Sequence, residues 1–135
     1  MLQNGESSPV HLACFRGNTR MLEVMMKLTT EDAWYKLLQI PDAHEGYTPL
    51  HMSAFSLQTQ AIKPIADSLI PERLAHILKI TDNNGYTPLQ LAKYRGSQAV
   101  ADILQDYQTK ALIDVALQQT DATGTNIRLL YEYLS

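Results

Sequence analysis

The residues of this 135-residue chain with chemistry to offer are four histidines, one cysteine and a few serines. His11 and Cys14 stand three positions apart, so on a helix they share a face, and both are zinc-ligand types. Two ligands are too few for a zinc site. The next candidate, His51, sits in a similar stretch further on and would lie about one helix spacing away, roughly 8–10 Å. His51 and Ser53 with an aspartate contain the ingredients of nucleophilic catalysis. Ser53, however, falls at a packing position, and nothing orients a base toward it. His44 lies in a loop, where contact suits it better than catalysis, and His76 falls on the partly exposed side of a helix. There is no G-x-G-x-x-G, no phosphate-loop pattern, no G-x-S-x-G and no H-E-x-x-H. The chain is therefore expected to have no enzymatic activity of its own, no cofactor and no metal.

The elements that hold these residues are set by a recurring stretch. Gly46-Tyr47-Thr48-Pro49-Leu50-His51 returns as Gly85-Tyr86-Thr87-Pro88-Leu89-Gln90, and in altered form as Ser8-Pro9-Val10-His11. Ser8, Thr48 and Thr87 follow one another at intervals of 40 and 39 residues. A hydroxyl residue followed by proline is a helix start: the oxygen accepts an orphan N–H of the first turn, and the fixed φ of proline suits the first helical position. Gly46 and Gly85 supply left-handed backbone for a tight turn just before it. Small residues one turn later, such as Ala54 and Ala92, let neighbouring helices approach closely.

Thr48-Pro49-Leu50-His51-Met52-Ser53-Ala54 resembles the Thr-Pro-Leu-His-x-Ala signature of the ankyrin-repeat family. The stretches starting at Thr87 and Ser8 match it with few changes, and Gly17 and Gly96 fall where that family turns from its first helix to its second. The resemblance covers roughly residues 5 to 107. It implies an all-α ankyrin-repeat solenoid with short hairpin finger loops. Repeat 1 would span about 5–40, repeat 2 about 41–80 and repeat 3 about 81–107, with a degenerate capping helix pair at about 109–134, all within one domain of residues 1–135. In the family the motif histidine is structural and bonds turn backbone across neighbouring repeats. Ser8, Pro9, His11, Gly46, Thr48, Pro49, His51, Gly85, Thr87, Pro88 and Gln90 are then structural motif residues.

Family repeats run to about 33 residues, so these are long. The additions follow the second helix. Thr29-Thr30-Glu31-Asp32 and Ile70-Pro71-Glu72-Arg73 are further helix starts, which predicts a third, short helix in each of the first two repeats. The second helix of repeat 1 carries Met21, Leu22, Val24, Met25 and Leu28 at helical spacing, read as core filling in preference to a soft-metal site. In repeat 2, Pro64 forces the second helix to start late or to bend, with its end near Ile70. Residues 1–7 look like the remnant of a first hairpin. The helical segments after 109 either cap the stack or dock on a further domain.

Net charge is −3 with no block of like charge, which argues against a general nucleic-acid or anionic-membrane binder. A lone cysteine, no leader-like N-terminus and no membrane-length apolar run point to a soluble cytoplasmic protein. The host cytosol is an alternative, because the family includes proteins secreted by intracellular bacteria.

The resemblance implies a protein–protein interaction module, monomeric, binding through a concave face. That face is made in the family by finger loops and first-helix ends. Carried over, it comprises Phe15 and Arg16, then His44, Glu45, Tyr47, Phe55 and Ser56, then Asn83, Asn84, Tyr86, Tyr94 and Arg95. Phe15, Phe55 and Tyr94 fall at equivalent positions, two of them beside an arginine, and both residue types are enriched in interface cores. Packing between repeats would account for the aromatics almost as well. Two other roles stay open: a targeting domain of a larger enzyme, channel or bacterial effector, and an inhibitor masking a transcription factor.

Overall fold

A computed structural model describes residues 8–118, and these are helical with no strand. The expected first-hairpin remnant and second capping helix fall on residues 1–7 and 119–135, which lie outside the described residues.

Three helices start on the repeated stretch: α1 (Pro9–Arg16), α4 (Pro49–Ser56) and α7 (Pro88–Tyr94). Each begins with a hydroxyl residue whose oxygen accepts the backbone N–H of His11, His51 or Gln90, and each has proline in its first turn. Helix α1 packs on α4 and α4 on α7. Ala13, Ala54 and Ala92 lie buried along this row, as small residues must where helix axes come close.

Behind that row run α2 (Thr19–Leu28), α5 (Ile62–Asp67) and α8 (Gln98–Gln118). Leu22, Ile62, Ile65, Val100 and Leu104 fill the space between the two rows and are almost fully buried. Two short helices complete the fold, α3 (Glu31–Leu37) and α6 (Pro71–Lys79). Trp34 of α3 is buried and its indole N–H donates to Ser68 Oγ at 2.9 Å. Helix α6 is tied to α3 by Arg73, which meets Asp32 at 2.6 Å and lies 4.6 Å above the Tyr35 ring.

Helix α5 starts late. A 3-10 turn at Thr59–Ala61 leads into it, so Pro64 sits in the first turn, where its missing N–H is not needed. It ends at Asp67 rather than near Ile70, because Ile70 is already the N-cap of α6.

Two expectations are corrected. The Met21-to-Leu28 stripe fills the core only in part: Leu22 is buried and Met25 packs partly buried against the core, but Met21 and Val24 are exposed and Leu28 is 79% exposed. Helix α2 comes first in its row, so among the described residues it has a neighbour of that row on one side only. The break expected near residue 108 is also absent. Helix α8 is continuous through Tyr107, Gln108, Thr109 and Lys110, which include neither glycine nor proline. Its length lets it touch α5, α6 and α7.

Candidate functional site

The site grows from the two loops that precede α4 and α7. In each, a buried aspartate builds the turn. Asp42 Oδ1 accepts the N–H groups of Glu45 and Tyr47, both at 3.0 Å. Asp82 Oδ1 accepts those of Asn84 at 2.8 Å and Tyr86 at 3.0 Å, and its Oδ2 is buried with no hydrogen-bond partner. The Asp42 and Asp82 N–H groups return the bond to the carbonyls of Tyr47 and Tyr86.

Those same carbonyls take a second bond from the preceding repeat. His11 Nε2 lies 2.9 Å from Tyr47 O, and His51 Nε2 lies 2.8 Å from Tyr86 O. The Nδ1 atoms accept the backbone N–H groups of Ser8 and Thr48. A ring nitrogen that accepts from N–H has no proton, so both imidazoles are neutral with the proton on Nε2. Burial holds their pKa below the ordinary 6.5, against the weaker opposing pull of the carbonyls and of Asp42 and Asp82. Both nitrogens of His11 are engaged, and burial pushes the Cys14 thiol up to about 12. Ser53 is buried and donates to the Cys14 carbonyl at 3.4 Å. These groups serve packing rather than zinc ligation or nucleophilic attack.

The two loops also bond to each other. Asn83 N–H donates to Glu45 O at 2.9 Å, and a Cβ at Gly46 would run into the Asn83 side chain.

Beside the loops lies a groove of about 490 Å³. Leu12, Phe15, Met52 and Phe55 from α1 and α4 line its helical side, and Asp42, His44, Glu45 and Tyr47 line its loop side. The rings are in contact: Phe15 and Phe55 stack with centroids 6.4 Å apart, and Tyr47 lies 5.6 Å from Phe55 and 5.9 Å from His51. Arg95 lies against Phe55, its Cζ 4.4 Å above the ring and its Nε donating to Phe55 O at 3.2 Å. Next to it Tyr86 and Tyr94 stack at 5.4 Å.

No family model matches the chain. NF-kappa-B inhibitor alpha of Mus musculus, an ankyrin-repeat protein, is 25% identical over 103 residues. The chain is a distant relative of that protein. The match covers 75% of this chain but 30% of the relative, so the chain spans under a third of its length. The likeness favours ankyrin-like repeats and a role in protein interaction.

Of the residues carried over to the concave face, Phe15, His44, Glu45, Tyr47 and Phe55 meet at the groove, and Arg95 reaches Phe55 without lining the groove. Arg16, Ser56, Asn83, Asn84, Tyr86 and Tyr94 do not line it. Tyr47 was expected as an accessible contact but is 8% exposed, because its ring is wedged between Phe55 and His51. Burial and the carboxylates of Glu45, Asp82 and Asp42 raise its hydroxyl pKa. Ser56 turns its hydroxyl back onto the Met52 carbonyl at 2.8 Å. Tyr94 is 73% exposed.

Leu12 and Met52 are missed by the sequence reading. The signal was present: each fills the variable position of the repeated motif, one helical turn before Phe15 or Phe55, and side chains three apart share a face.

Proposed function

We propose that the described helices form an ankyrin-type solenoid whose function is to bind another protein. The observation that carries this reading is the groove. It has an apolar floor with Leu12 and Phe15 nearly half exposed, a polar rim, and Tyr94 beside it largely in water. Apolar and aromatic floors with polar rims mark protein interfaces. The net charge of −3 fits a protein partner better than a nucleic acid. No helix among the described residues is long and apolar enough to cross a membrane. The module would act as a monomer and without catalysis, alone or as part of a longer protein.

A pull-down with the chain and its Phe15→Ala/Tyr94→Ala variant as baits tests this. Both side chains are substantially exposed, so the variant should melt as the parent does and lose the captured protein. Equal capture by both baits would place the contact elsewhere.

A second reading follows from the relative, whose name makes it an inhibitor of NF-kappa-B: this chain could mask a transcription factor. Adding the purified chain to NF-kappa-B bound to its DNA and finding no release would remove that reading and leave the first intact.

A further inference from the structure

Arg95 is held in place without being neutralised. Its Nε is tied to the Phe55 carbonyl at 3.2 Å, and its guanidinium lies 4.4 Å above the Phe55 ring. The ion pairs among the described residues are Lys63–Asp67 and Arg73–Asp32, and neither includes Arg95. The residue is exposed, so the fork left after the Nε bond is open to water beside Phe55, a residue that lines the groove. The loop side of the groove carries Glu45, exposed and likewise outside those ion pairs. A cation thus lies against the groove residue Phe55, and an anion stands on the loop side.

From this geometry we propose that Arg95 receives a carboxylate from the partner. The seated segment carries an apolar anchor on the groove floor with Asp or Glu one or two residues away. This rests on the reading of the groove as a protein-binding site. Phe55 fixes the spacing, because it is both floor and platform: an anchor touching one part of its ring leaves the guanidinium about one residue step away. Guanidinium takes carboxylate through two parallel hydrogen bonds, and a fork already stacked on a ring loses little freedom in doing so.

The test is selection of a phage-displayed random peptide library on the intact chain, followed by binding of the enriched peptides to Arg95→Gln, Arg95→Lys and Phe15→Ala. The expected peptides share an apolar residue with Asp or Glu within two positions. They should bind Arg95→Gln about tenfold more weakly, with Arg95→Lys between, and their affinity for the parent should fall with salt. Replacing the peptide's own acid by its amide should cost the same factor, which reads the contact without touching the fold. Peptides lost on Phe15→Ala but indifferent to Arg95→Gln, or carrying Lys or Arg in place of the acid, overturn the carboxylate assignment and leave the groove in use. Peptides indifferent to both substitutions, or no enrichment at all, overturn the groove reading as well.

Discussion

His51 Nε2 sits 2.8 Å from the carbonyl oxygen of Tyr86, 35 residues ahead in the chain, while its Nδ1 accepts the N–H of Thr48. One side chain thus caps its own helix and holds the loop of the next repeat. His11 does the same for Thr48's repeat through Tyr47 O at 2.9 Å.

Removing that side chain should be expensive. His51→Ala leaves a cavity in a fully buried site and strips one bond from the Tyr86 carbonyl, so a loss of about 2–4 kcal/mol is expected. His51→Gln should cost less, since Gln90 builds the same capping box in the third repeat. Urea unfolding of the three proteins measures the difference, and equal stability of His51→Ala and the parent would exclude the double role.

Stability should fall on the acid side. Both imidazoles are neutral in the fold with depressed pKa, whereas the unfolded chain takes up protons near 6.5. Their contribution is therefore complete above 6.5. It shrinks as the pH falls below that value, and no more is lost once the pH has passed their folded-state values. Melting temperature against pH should show this slope, flattened in His11→Gln/His51→Gln.

Leu57 ends α4 at φ 63°, where Gly17 ends α1 at φ 67°. A side chain in left-handed backbone costs about 1–2 kcal/mol, partly offset by the greater freedom glycine has when unfolded. Leu57→Gly is expected to stabilise the chain by roughly 1 kcal/mol, read as a higher urea midpoint with unchanged slope.

Gly46 and Gly85 both have positive φ, yet only Gly46 has a neighbour against the missing Cβ, the Asn83 side chain. Alanine at 85 should cost backbone strain alone, about 1 kcal/mol. Alanine at 46 should cost more and loosen the link between the loops, seen as faster amide exchange at Asn83. Equal losses at both sites would mean that the loop-to-loop bond contributes nothing.

Capped helix starts were legible in the sequence because a cap is local chemistry: Ser8, Thr48 and Thr87 each need only residues within the next turn. The added helices were legible for the same reason at Thr30 and Pro71. What escaped depends on neighbours. The period of Met21, Val24 and Leu28 reveals an apolar stripe but not whether anything lies against it. Tyr47 is equivalent to Tyr86 in sequence, yet one is buried and the other half-buried: Tyr47 meets the rings of both Phe55 and His51, whereas Tyr86 stacks on Tyr94 and has Gln90 where Tyr47 has His51. The unbroken course of α8 had a local signal, the lack of glycine and proline over Tyr107 to Lys110, while its contacts with α5, α6 and α7 are contained in no window of sequence.

That last helix makes the two ends of the stack unequal. Helix α8 lies across three others like a splint, so one element bridges α5, α6 and α7. Among the described residues nothing comparable crosses α1 and α2, and the ten residues of α2 bury Leu22 alone. Unfolding of the described stack should begin at its α1–α2 end, where a single repeat can peel away while the remainder stays clasped.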